Sequence, residues 1–199
     1  MSPVVIAAKD FRVVCLGGSA GGLEAYKGIL RNLPADTGMA FVVAQHQRFE
    51  HMHLLSQILA GVTAMPVVEV KQGMLLEPNR VFVMPPGKDM TVKGDEFDLQ
   101  TTLKARGWPI TISLFLLSLA EAYGHRAVAV ILSGMGQDGC ASLKAIKTAG
   151  GVTFAQSNPA FDSMPRHAVE TGHVDFILPP PEIARTLLDL AHNNLPAPG

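Results

Sequence analysis

The stretch Val13-Val14-Cys15-Leu16-Gly17-Gly18-Ser19-Ala20-Gly21-Gly22 decides the fold. Four apolar residues in a row suit a strand buried on both faces better than one with a wet side. The glycines predict a tight turn. Leu23, Tyr26, Ile29 and Leu30 then follow at helical spacing until Pro34 closes the unit.

The same rhythm continues outward. Phe41 to Ala44 reads as a second buried strand ending at Gln45-His46, and Leu54, Leu55, Ile58 and Leu59 mark a helix. Val67, Val68 and Val70 make a short strand. Residues 72–108 have another texture. Val81 to Met84 is a strand running into Pro85-Pro86-Gly87, while Met90-Thr91-Val92 and Phe97-Asp98-Leu99 flank the turn Lys93-Gly94-Asp95, a β-hairpin signal. The alternation resumes with a helix over Ile112 to Tyr123 and a strand over Ala127 to Leu132, which leads into Ser133-Gly134-Met135-Gly136-Gln137-Asp138-Gly139. A helix marked by Leu143, Ile146 and Ala149, a strand from Val152, a helix over Met164 to Glu170, a strand at Phe176 to Leu178 and a helix from Pro181 to His192 complete it. Alternating strands and helices predict an α/β fold: a doubly wound, mostly parallel sheet with helices on both faces, plus the hairpin. One domain is expected over 1–199, its core at about 12–190, with 196–199 a tail or linker.

Composition narrows the function. With 48% hydrophobic and 17% charged residues, the 199-residue chain is too apolar to be disordered. A net charge of −1 without a basic block argues against nucleic-acid binding. Cys15 and Cys140 alone suggest neither a disulfide framework nor a cysteine zinc site. The start lacks signal-peptide character, and no apolar run approaches the ~20 residues that span a bilayer, so the expected location is cytoplasmic, with no membrane insertion.

In a parallel sheet, ligands bind beyond the carboxyl ends of the strands. Three such ends carry chemistry: Ser19, His46 and Asp138. A serine hydroxyl becomes a nucleophile when a base takes its proton, imidazole titrates in the right range, and a carboxylate fixes the ring's tautomer. Gly17-Gly18-Ser19-Ala20-Gly21 also matches the G-x-S-x-G turn that exposes a nucleophile, although the order Ser…His…Asp departs from that of α/β-hydrolases. Blander readings stand beside this one. The glycines could cradle a phosphate, His46 could be structural, and Asp138 could cap the helix that follows it. His51-x-His53 is a weak metal pair with no visible third ligand. His125, His167, His173 and His192 read as surface or helix-end residues, whereas Met135 and Met164 lie in turns near the proposed site.

The segments Gly17 to Gly22, Ala44-Gln45-His46, Pro85-Pro86-Gly87, Ile131 to Gly139 and Ser163-Met164-Pro165-Arg166-His167-Ala168 together resemble the catalytic domain of chemotaxis receptor protein-glutamate methylesterases. The resemblance covers residues 12 to about 190. It implies hydrolysis of glutamyl methyl esters on methyl-accepting chemotaxis receptors, with deamidation of receptor glutamines in many members. It assigns Ser19 as nucleophile, His46 as base and Asp138 as the orienting carboxylate, and the amides of Ala20 and Met135 as oxyanion donors. It implies no metal and no organic cofactor. The partners it implies are the cytoplasmic receptor helices. Three departures stand out: Ala20 where Thr is usual, Met90 where a His is common, and no receiver segment ahead of the first strand. The lack of a receiver segment, together with Met84-Pro85-Pro86 and Leu178-Pro179-Pro180, looks more like the form fused to a receptor methyltransferase. A catalytically weak docking or regulatory domain is the alternative expectation.

Overall fold

The computed structural model of the chain describes residues 11–45, 54–101 and 110–192. Nine strands and six helices are named here in chain order: β1 (Val13–Gly18), α1 (Gly22–Leu30), β2 (Ala40–Gln45), α2 (Leu54–Ala60), β3 (Val67–Glu69), β4 (Arg80–Val83), β5 (Lys88–Lys93), β6 (Glu96–Thr101), α3 (Thr111–Tyr123), β7 (Ala127–Ile131), α4 (Leu143–Thr148), β8 (Val152–Gln156), α5 (Ser163–Glu170), β9 (Phe176–Leu178) and α6 (Pro180–Ala191).

Seven strands form one sheet in the order β3-β4-β2-β1-β7-β8-β9, and every pairing in it is parallel. β1 is wholly buried, which is why it reads as an unbroken apolar run. Its side chains alternate between two cores. Val13 and Cys15 join Phe115, Leu119, Leu143, Ile146 and Met164 on the face covered by α3, α4 and α5. Val14 and Leu16 join Tyr26, Ile29, Leu59, Ile183 and Leu187 on the face covered by α1, α2 and α6. The sheet is therefore doubly wound, as the sequence rhythm predicts.

β5 and β6 form the separate antiparallel hairpin, with Lys93 opposite Glu96 and Gly94 at φ 64° in the turn. It lies on the α3 side of the sheet. Phe97 packs against Phe82 of β4 at 5.1 Å and stacks near Phe115 of α3 at 6.4 Å between ring centroids. Met90 is fully buried in that same core.

The topology sets the place of the site. From β1 the chain moves outward to β2 and on to β3 at the edge, returns to fill the place between them with β4, then crosses back to β7 on the other side of β1 and winds outward through β8 and β9. The winding reverses between β1 and β7, and the crevice beyond their carboxyl ends is where such sheets bind ligands. At the opposite edge, before β1, β2 and β7 begin, Phe11, Arg12, Thr37, Met39, His125, Arg126 and Ala191 line a polar cleft of about 360 Å³. There Arg12 Nη1 donates to the His125 carbonyl at 2.9 Å.

Candidate active site

Gly17 and Gly18 turn out to be strand residues, not turn residues. Gly17 pairs with Ala44 and with Ile131, and Gly18 pairs with Gln45. Gly18 is small because the chain is crowded there: a Cβ would lie 2.6 Å from the Tyr26 hydroxyl oxygen. The turn proper is Ser19 to Gly22. The Gly22 N–H donates to the Ser19 carbonyl at 2.9 Å, and Gly21 has φ 74° and ψ −1°. Ala20 is not among the residues with positive φ, so this is a type II turn, with glycine at the position that demands φ > 0. Ser19 is half-buried at its head, three residues before α1 begins at Gly22.

Across the switch point, β7 delivers the loop 132–139. Leu132 N–H donates to Gly17 O at 2.8 Å, and Ser19 N–H donates to Ser133 O at 3.0 Å, so the strand pairing runs on into the loop. Gly134 lies against the Ser19–Gly22 turn. A Cβ on it would meet Ser19 Cβ at 3.1 Å and would overlap the Met164 thioether.

Ser19, Met135, Gly136, Gln137 and Asp138 open onto one cavity of about 710 Å³ whose walls are mainly apolar. Ile110, Met164 and Cys140 contribute to it from other elements. Met135 is 57% exposed at the rim, whereas Met164 is buried in the wall. Both methionines flagged in the sequence are thus at the cavity.

Asp138 does cap a helix, but not the one that follows it. Its Oδ2 accepts the Ile112 N–H at 2.8 Å, and its Oδ1 accepts the Ser113 N–H at 3.0 Å and the Ser113 hydroxyl at 2.6 Å. α3 has no capping side chain of its own, and Asp138 satisfies two of its free amides at the positive end of the helix dipole. The carboxylate is held rigid and half-buried at the cavity wall.

His46 lies outside the described residues, as do His51 and His53. Gln45, the residue before His46, is the register partner of Gly18, the residue before Ser19. Ala20 and Met135 lie in the two loops that flank the switch point, Ala20 in the turn with Ser19.

One residue was missed. His167, read from the sequence as a surface histidine, lines the cavity from α5. Its Nδ1 lies 3.1 Å from the Gly136 carbonyl, which also accepts the Ser163 hydroxyl at 3.1 Å. The signal was present: His167 is three residues after Met164 on one helix face. Burial pushes the Cys140 thiol in the cavity wall up to about 12, with the Asp138 charge adding to it, which favours the neutral thiol over the thiolate. Among the described residues, no group of three or more His, Cys, Asp or Glu could hold a metal ion. No described helix is long and apolar enough to cross a membrane.

Fold and site together define a doubly wound α/β domain whose ligand crevice presents a serine on a type II turn. The chain belongs to the CheB methylesterase family, whose description matches residues 14–187. It is similar to the crystal structure of the Thermotoga maritima CheB methylesterase catalytic domain, with a TM-score of 0.83 and 28% identity, covering 91% of this chain and 99% of that one. It is 36% identical over 185 residues to protein-glutamate methylesterase/protein-glutamine glutaminase 2 of Anaeromyxobacter dehalogenans, covering 92% of this chain and 54% of the relative. The corresponding protein of Moorella thermoacetica is 34% identical, with 89% and 44% covered. The chain thus spans about half the length of these curated relatives. Over 126 residues it is also 41% identical to 13% of an uncharacterized 104.1 kDa protein of Rhodobacter capsulatus.

Proposed function

We propose that the chain is a serine esterase that removes methyl groups from glutamate methyl esters on the cytoplasmic helices of methyl-accepting chemotaxis receptors. Glutamines at the same receptor sites are its second substrate. The observation that carries the reading is that Ser19, Met135 and Asp138 face one cavity at the switch point of the sheet.

Ser19 Oγ attacks the ester carbonyl carbon, and its proton passes to His46. Asp138, already fixed by the end of α3, orients the imidazole. The oxyanion is met by the backbone amides of Ala20 and Met135. As the tetrahedral species collapses, the bond to the methoxy group breaks and His46 returns its proton to make methanol. Water then attacks the acyl-serine and gives a proton to His46. The Ser19 ester bond breaks as His46 returns its proton to Ser19, and the glutamic acid side chain released gives its own proton to solvent and leaves as a carboxylate. No metal or organic cofactor takes part. The mainly apolar walls suit a methyl ester and the side of a receptor helix. The reading places the reaction in the cytoplasm, where those helices lie.

The test is methanol release from methylated receptor helices by the wild-type chain and by Ser19→Ala. Release by the wild type and none by a folded Ser19→Ala supports the reading; equal release by both removes Ser19 from the role. A docking or regulatory domain, alone or beside a receptor methyltransferase domain, is the second reading, and Ala20 in place of the usual Thr favours it. Folded wild-type protein that binds receptor helices without releasing methanol would decide for it.

A further inference from the structure

Ser133 is 1% exposed, yet all of its polar groups are engaged. Its N–H donates to Oε1 of the buried Gln156 at 2.8 Å, and its carbonyl accepts the Ser19 N–H at 3.0 Å. Its hydroxyl donates to the Ala20 carbonyl at 2.9 Å and accepts the Phe161 N–H at 3.0 Å. The Phe161 carbonyl is a longer alternative acceptor at 3.5 Å. One small side chain thus joins the nucleophile turn, the end of β7 and the loop ahead of α5.

The Ala20 carbonyl matters because of the turn type. Types I and II of a β-turn differ by rotation of the central peptide, here Ala20–Gly21, through about 180°. In this chain that peptide is held in the type II orientation, with Gly21 at φ 74°. The Ser133 hydroxyl grips the carbonyl of that same peptide. A buried carbonyl that loses its donor is left unsatisfied, and rotation of the peptide toward solvent is the natural response. Such a rotation would shift Ser19 and the adjoining Ala20 amide. Gly21 is also in close register with the hydroxyl: a Cβ there would lie 2.6 Å from Ser133 Oγ.

We propose that Ser133 is a positioning residue whose hydroxyl locks the Ser19–Gly22 turn in the type II form that presents the nucleophile. The catalytic consequence rests on the esterase reading; the lock itself does not.

The experiment compares the wild type, Ser133→Ala and Ser133→Thr in two measurements. The first is the rate at which a fluorophosphonate probe labels Ser19, with kcat and KM for methyl-ester hydrolysis. The second is the Ala20 Hα–Gly21 N–H nuclear Overhauser effect, strong in a type II turn and weak in type I, which needs no activity. Ser133→Ala is expected to slow labelling and kcat about 10- to 100-fold, as for a small misplacement of reacting groups, with KM unchanged. The Ala20–Gly21 effect weakens, while the Gly22 N–H bond to the Ser19 carbonyl, common to both turn types, persists. Ser133→Thr keeps the hydroxyl and restores both. An unchanged Ala20–Gly21 effect or unchanged labelling of Ser19 in a folded Ser133→Ala overturns the proposal. A general loss of stability with no change in either overturns it too. A wild type that leaves Ser19 unlabelled sinks the esterase reading instead, and the Ala20–Gly21 effect still judges the lock.

Discussion

Asp138 and Ser113 are joined by two hydrogen bonds to one carboxylate oxygen, from the Ser113 amide at 3.0 Å and its hydroxyl at 2.6 Å. The Ser113 oxygen in turn accepts the Gly139 N–H at 2.8 Å. The loop after β7 and the start of α3 are therefore one cross-braced unit, and the carboxylate proposed to orient His46 is also what closes a helix.

Asp138→Asn tests both roles. An amide presents an N–H₂ where the carboxylate offered a second acceptor, so one of the α3 donors faces another donor. A loss of about 1–3 kcal/mol in urea unfolding is expected. Ester hydrolysis should fall much further than that destabilisation explains, because the wrong imidazole tautomer is favoured. Retained hydrolysis in a folded variant would leave Asp138 as a cap alone.

Gly21→Ala forces a Cβ onto a residue at φ 74° and against Ser133 Oγ. Strain in the left-handed region and displacement of the hydroxyl together should cost about 1–3 kcal/mol. Labelling of Ser19 should slow in the same variant. Unfolding and probe kinetics measured on one preparation check the two together.

Alkaline stability follows from the buried thiols. Burial, reinforced by the Asp138 charge, raises the Cys140 thiol to about 12 and moves Cys15 in the same direction. The folded state therefore holds the proton more tightly than the unfolded chain. The contribution is fully present below the unfolded value near ~8.5 and is lost as pH rises through about 12. The melting temperature should fall between pH 9 and pH 11, and Cys140→Ala should make that fall shallower. Equal slopes for both proteins would count against Cys140.

Asp175 is a structural carboxylate at the far edge of the sheet. It pairs with Lys147 and accepts both the Thr153 N–H and its hydroxyl at 2.9 Å, tying β8 to the approach of β9. Its side chain is 7% exposed. Asp175→Ala should lower stability by about 2–4 kcal/mol, because the Lys147 ammonium and the Thr153 N–H lose their acceptor, while the Thr153 hydroxyl keeps the His173 carbonyl at 2.7 Å. Below its melting temperature the variant should still label at Ser19, since these contacts lie at the amino ends of the strands.

The layout of the fold was legible because β1, β2 and β7 are buried on both faces and so appear as unbroken apolar runs. The hairpin was legible from Gly94. What local pattern could not carry were relations between distant segments. The capping of α3 by Asp138 spans more than twenty residues and leaves no mark near Ile110. His167 was legible only through Met164, three residues earlier on the same face of α5, and the Gly136 carbonyl it meets comes from a distant loop. Ser133 sits in a recognisable motif, but nothing in its neighbours says that its hydroxyl reaches Ala20. Strand ends alone suggested that Ser19 and Asp138 share an edge, and the reversal of winding at β1 gives the reason.

The cleft lined by Phe11, Arg12 and Ala191 brings the first and last described elements together on the side of the sheet away from Ser19. A unit built this way behaves like a cassette. The start of β1 and the end of α6 open by one door, while the crevice beside Ser19 lies on the other side. Further polypeptide can thus be joined at both ends of such a unit without rebuilding the crevice beyond β1 and β7.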